Sequence, residues 1–179
     1  MQGLVDLFRG HLKISLTHFF TVTKGQILET ITKWGSTFNV EADITVIKQP
    51  NQPKNIFHFT QNLDNTKYGD RIPTVLLLKD GNIRICSAIN GDKNFCKGFK
   101  YELDTKYHLK IQQFRQNEKT IYNIIMNDII IYSGENKQPK DFDNVKVYVS
   151  DKWYDPFTSE FGLLENLQYD KIRTYPAPG

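Results

Sequence analysis

The chain has 179 residues, 39% of them hydrophobic, and a formal net charge of +3 from 23 basic and 20 acidic residues. That length suits one domain with a core of its own, and the scatter of the charges excludes the basic block through which nucleic acid or anionic lipid is held. No apolar run approaches the roughly 20 residues a membrane-crossing helix needs, so membrane insertion of that kind is excluded too.

Residues 1–23 read as an N-terminal extension or an edge element of the same domain, either a short helix followed by a strand or an edge strand. Asp6, Arg9 and Lys13 interrupt its apolar residues before a signal-peptide core could form, so no secretion signal is legible there. No Asn-x-Ser/Thr glycosylation acceptor is present either.

From Gln26 onward, short runs of Ile, Val, Phe, Tyr and Leu alternate with turn residues. Strands are expected over 26–31, 38–47, 55–60, 74–79, 82–87, 107–115, 120–126, 129–133, 145–150 and 162–169. In the second of these, Phe38, Val40, Ala42, Ile44 and Val46 form one apolar face, and Asn39, Glu41, Asp43 and Thr45 the other. Period two places those faces on opposite sides of a sheet. Asp80-Gly81 suits a type I′ hairpin turn, and Asn127-Asp128 tolerates the left-handed backbone such a turn needs.

A third hairpin centres on Asn90-Gly91, with the only two cysteines, Cys86 and Cys96, on either side. A ladder folding back around the turn brings them toward bonding distance, and a pair would mark an oxidising compartment. Two unpaired thiols of a cytosolic protein are the alternative. A zinc site is not indicated, since no histidine stands at ligand spacing from them.

About ten strands exceed what one open sheet carries, so the fold class is all-β, a two-sheet antiparallel β-sandwich or jelly roll. The domain is expected to run over 24–172, with 173–179, rich in proline, as a C-terminal tail.

Three stretches make the order of residues familiar: Tyr68-Gly-Asp-Arg-Ile-Pro73, Ile85-Cys-Ser-Ala-Ile-Asn-Gly91 and Asn144-Val-Lys-Val-Tyr-Val-Ser-Asp-Lys-Trp-Tyr154. With Trp34-Gly35, Asn55-Ile-Phe-His-Phe59 and the closing strand from Gly162 to Leu167, they resemble concanavalin A-like, laminin G-like jelly-roll modules of secreted and cell-surface invertebrate proteins. The similarity extends from about Lys24 to Tyr169. It implies a concanavalin A-like jelly roll and an extracellular or cell-surface address. It leaves function open, because such modules bind sugars, proteins or calcium, or serve structurally.

Each chemical candidate has a plainer reading beside it. Jelly-roll glucanases carry Glu-x-Asp-x-Glu or Glu-x-Asp-x-x-Glu along one strand face. Here Glu41 and Asp43 supply half of that, while Thr45 and Val46 stand where the second glutamate should, so a solvated polar face accounts for them. His58 and His108 read as sheet residues with hydrogen-bond partners. Asp70 and Arg71 form a binding loop or a pin for the loop backbone; adjacent in sequence, they project differently, so Arg71 is expected to reach a carboxylate or carbonyl other than Asp70. Asp151, Trp153, Tyr154 and Asp155 place aromatic rings and carboxylates in one loop, suited to a sugar ring, to calcium, or to packing on the sandwich edge.

The expectation is a non-catalytic recognition module whose ligand-binding residues are Asp70, Arg71, Asp151, Trp153, Tyr154 and Asp155, with a glycan or protein partner, calcium as a possible ion, and no nucleic acid. A structural or assembly domain packing against subunits of a larger complex is the alternative, and a degenerate glycoside hydrolase a weaker one.

Overall fold

In a computed structural model, the structure describes residues 22–170 together with two short strands near the N-terminus. The chain runs through β1 (Leu7–Phe8), β2 (His11–Leu12), β3 (Gln26–Trp34), β4 (Phe38–Val46), β5 (Lys54–Thr60), β6 (Thr74–Leu77) and β7 (Asn82–Ile89). It continues through β8 (Asp92–Lys100), β9 (Lys106–Gln116), β10 (Lys119–Met126), β11 (Ile129–Glu135), β12 (Phe142–Ser150), β13 (Asp155–Pro156) and β14 (Gly162–Tyr169). β1 and β2 pair with each other. The expected 173–179 tail, and the side chains of residues 1–21 of the expected 1–23 extension or edge element, lie outside the described residues.

Two sheets stack. One has five strands in the order β11-β10-β9-β4-β14, the other runs β3-β12-β5-β6-β7-β8, with β13 added alongside β5. Neighbours within each path are antiparallel, and only β13 pairs in parallel. This is the all-β antiparallel sandwich of the jelly-roll type that the strand spacing predicts.

The alternation of β4 explains its placement: Val40, Ala42, Ile44 and Val46 are buried while Asn39, Glu41, Asp43 and Thr45 stay partly exposed. Facing them across the interlayer are Trp34, Phe57, Phe59 and Val147 of the other sheet. Trp34 lies 5.0 Å from the Phe59 ring, which meets Tyr169 edge-on at 5.1 Å, so aromatics from both sheets interlock. Each fully buried Val, Leu, Ile or Phe contributes about 1.5–3 kcal/mol.

Among the described residues, three β-hairpin turns carry two consecutive left-handed residues: Asn90-Gly91, Asn117-Glu118 and Asn127-Asp128. That is the type I′ geometry whose twist matches the flanking strands. The turn at Asp80-Gly81 differs from expectation. Only Gly81 is left-handed, and Leu78 N–H donates to Asn82 O, so three residues cross the gap rather than two. β8 is not among the strands read from periodicity, because Asp92, Lys93, Lys97 and Lys100 break its apolar pattern, but the hairpin expected at Asn90-Gly91 calls for a strand through Cys96, and β8 is that strand, at the edge of its sheet.

Candidate functional site

β5 is buried along its whole length, including Lys54, Asn55, His58 and Thr60. Phe57 and Phe59 face the core, so His58 points to the outer face of the seven-stranded path. The loops 61–73 and 151–157 lie over that face and make it a buried polar layer.

Asp151 is fully buried. Its Oδ2 is 2.8 Å from His58 Nδ1, and its Oδ1 accepts the Trp153 and Tyr154 N–H groups at 3.0 and 2.8 Å. The Asp151 N–H donates to Asn55 Oδ1 at 2.9 Å. One carboxylate thus turns the chain after β12 and ties it to β5. The other ring nitrogen of His58, Nε2, lies 2.5 Å from the carbonyl oxygen of Asp70. His58 therefore bridges the two loops.

The side chain of Asp70, also buried, accepts N–H groups of Leu63, Thr66 and Lys67 at 3.2, 2.7 and 2.6 Å. It pins the loop backbone. Arg71 turns away from it to a different carboxylate: Nη2 donates to Asp64 Oδ1 and Oδ2 at 2.9 and 3.0 Å, and Nη1 to Asn94 Oδ1 at 2.6 Å. The same Nη2 reaches the Tyr154 hydroxyl at 2.9 Å, and that hydroxyl donates to Asp64 Oδ2 at 3.2 Å. Burial first, then the Asp64 carboxylate, pushes the Tyr154 phenol above its ordinary range. Arg71 thereby joins both loops to the β8 edge, satisfying most of the five donors of its fork.

Trp153 is half-buried, 5.5 Å from the His58 ring and 6.0 Å from Tyr148, with the Lys152 ammonium 5.2 Å from its own ring. Tyr154 is half-buried beside it. Of the six residues expected to bind ligand, Asp70, Arg71, Asp151, Trp153 and Tyr154 are brought together. Asp155 is not: it leaves the cluster at β13 and makes ion pairs with Lys24 and Lys54 at 3.6 and 3.5 Å. Sequence reasoning missed Asp64, Asn94 and the bridging role of His58. Nothing in their local spacing marks them, since they converge from a loop, an edge strand and an inner strand.

His58, Asp64 and Asp151 offer ligand atoms within 4.8 Å of one another. An imidazole and two carboxylates do not make the six to eight oxygens calcium takes, and the Arg71 guanidinium already supplies the positive charge against Asp64. These residues do not fit a calcium cage. Cys86 and Cys96 form a disulfide across the β7–β8 ladder, as directly paired residues with Cα atoms 4.1 Å apart.

The outer face of the five-stranded sheet is polar in another way. His108 Nδ1 lies 2.7 Å from Asp43 Oδ1, Lys106 Nζ lies 2.9 Å from Glu165 Oε2, and Lys110 Nζ lies 3.4 Å from Glu41 Oε1. Burial alone would raise the Asp43 carboxyl, but hydrogen bonds from Asn166 and His108 and the charge of Lys106 bring it below its usual value. Both members of the half-formed glucanase pattern are engaged in cross-strand pairs, and Val46 is buried in the core.

No protein-family model matches this chain, and no curated protein does. Solved structures do match its fold. The receptor-binding domain of botulinum neurotoxin D superposes with a TM-score of 0.53 at 11% identity, over 96% of this chain and 40% of that one. The CBM40 domain of the Ruminococcus gnavus IT-sialidase, solved with α2,3-sialyllactose, gives 0.52 at 8% identity over 87% of this chain and 92% of its own. Trypanosoma rangeli sialidase gives 0.52 at 10%, over 96% of this chain and 26% of that one. The chain thus spans well under half of the toxin domain and of the trypanosomal sialidase. At these identities the likeness is one of fold, a two-sheet β-sandwich of jelly-roll type.

Proposed function

We propose that this domain is a non-catalytic recognition module that binds a glycan on the loop-covered outer face of its seven-stranded path. The observation that carries this reading is the pairing of half-exposed Trp153 and Tyr154 with a polar cluster whose geometry is already fixed. Arg71 holds Asp64, Asn94 and the Tyr154 hydroxyl, so the ordering is complete before a ligand arrives. Sugar rings stack on aromatic faces, and their hydroxyls donate to carboxylate and amide oxygens.

Two of the fold's neighbours are a receptor-binding domain and a CBM40 domain, the second solved with sialyllactose. Against catalysis stands the chemistry of β4, where Thr45 and Val46 occupy the positions of a second carboxylate. The disulfide supports maturation in an oxidising, extracellular setting. A glycan array probed with and without calcium tests the reading. Binding that weakens on Tyr154→Ala and is indifferent to calcium is expected; no sugar bound under either condition would refute it.

Assembly with a protein subunit has one observation in its favour: Ile129 and Ile130, at the start of edge strand β11, are 62% and 59% exposed. An oligomer that Ile130→Lys dissolves, measured by light scattering, would favour this second reading.

A further inference from the structure

A shallow cavity of about 200 Å³ opens over Asn82, Arg84, Cys96, Lys97 and Gly98. Ile83 and Ile85 point into the core, so Arg84 projects to the outer face, the same face that carries the loop cluster. Gly98 is the direct cross-strand partner of Arg84. A Cβ there would come within 2.5 Å of the Ile83 carbonyl oxygen, so the position stays bare and the floor of the cavity is backbone.

The charge over that floor is not balanced. Lys97 turns its ammonium over the Phe95 and Tyr132 rings, 5.5 and 5.6 Å from their centroids. The exposed Arg84 guanidinium has neither hydrogen bond nor ion pair among the described residues; Asp80, in the adjoining turn, feels its charge without reaching ion-pair distance. Arg71, by contrast, spends its fork on Asp64, Asn94 and Tyr154.

The cavity lies on the same sheet face as the loop cluster. Along β8, Asn94, Cys96 and Gly98 alternate onto one face: Asn94 receives Arg71, Cys96 holds the disulfide, and Gly98 lies beneath Arg84. At about 3.4 Å per residue, Asn94 and Gly98 are roughly 14 Å apart. A short saccharide laid along β8 over the disulfide spans that distance.

From this geometry we infer that the ligand is an anionic saccharide, its acid group seated over Gly98 in a bidentate bond to Arg84 while a neutral part lies toward Tyr154. The inference rests on the glycan reading above and adds the charge of the ligand and the residue that reads it. A planar guanidinium matches a sugar carboxylate and also accepts a sulfate ester.

Isothermal titration with lactose, sialyllactose and a sulfated lactose, on the intact chain with its disulfide verified by mass, tests it. At least one anionic probe is expected to bind about tenfold or more tighter than lactose, as a charged hydrogen bond implies, with the advantage shrinking at high salt. Arg84→Gln should erase that advantage and leave lactose binding as it was, while Arg84→Lys should keep part of it. Which anionic probe gains says whether carboxylate or sulfate is read. Equal affinity for all three probes would overturn the inference and leave the glycan reading standing, and so would an anion preference that survives Arg84→Gln. Binding of none of them would overturn the inference, and the glycan array then decides whether the glycan reading falls with it.

Discussion

The two outer faces of this sandwich use the same residue types under opposite conditions. Over the seven-stranded path, His58 meets Asp151 and Arg71 meets Asp64 beneath loops, with the first pair fully out of water. On the five-stranded sheet, His108 meets Asp43 and Lys106 meets Glu165 at the surface, their basic side chains about half exposed. The buried pairs are architecture: His58 and Asp151 link β5 to the chain after β12, and Arg71 and Asp64 close the loop 61–73 on itself, each alongside further side-chain hydrogen bonds. The surface pairs decorate strands that backbone ladders and the core already hold. Similar pairings of basic side chains with carboxylates thus fix loop conformation on one side and contribute little on the other.

The contrast is sharpest in Asp151→Ala. The substitution leaves the buried His58 without its carboxylate and the Trp153 and Tyr154 N–H groups without their acceptor. Removing one partner of a buried pair costs about 3–5 kcal/mol, and a urea melt should show a loss of that order. A loss under about 1 kcal/mol would mean that the loops are held by something else.

Next in size is the disulfide. It closes a segment with a sequence separation of 10 residues, and joining Cys86 to Cys96 restricts the unfolded chain. The double substitution to serine should cost about 2–3 kcal/mol, read from the same denaturant melt. Because Asn94 and Cys96 share β8 with the loop anchor, increased proteolysis within 61–73 should accompany it.

Lys106→Ala on the open face should change stability by about 1 kcal/mol or less, and less still in high salt, as exposed ion pairs do. A larger loss that persists in salt would break the distinction between the faces.

The smallest effect is one of pH. The Asp43 carboxyl lies below its ordinary value in the folded chain, against about 3.9 unfolded. The unfolded state binds the proton first as pH falls, so the contribution of Asp43 is whole above the unfolded value. It is lost as pH drops toward the folded one. Melts of Asp43→Asn between neutral and strongly acid pH should show a flatter decline than the parent below about pH 4; an identical decline would remove Asp43 from the acid sensitivity.

Much of the framework was legible because it is local. The alternation in β4 and the turn pairs at Asn90-Gly91 and Asn127-Asp128 are written in neighbouring residues, and the structure carries them out with buried even positions and paired left-handed residues. β8 was legible only through its turn and its cysteine: Asp92, Lys93, Lys97 and Lys100 break the apolar run along this edge strand, so its periodicity does not mark it. The site was half legible. Arg71 could be expected to seek a carboxylate other than Asp70, but Asp64, seven residues back, looked like any loop aspartate.

By itself, then, the sequence determined the class of fold, the hairpins and the cysteines that face each other across one of them, since each follows from period-two burial and turn chemistry within about a dozen residues. Only the tertiary structure decided which carboxylate Arg71 takes, that His58 bridges two loops, and that Arg84 stands over a bare backbone without an ion pair among the described residues. Those partners lie on separate strands and loops, and no one-dimensional pattern records which of many charged residues a packed sheet will bring within 3 Å of one another.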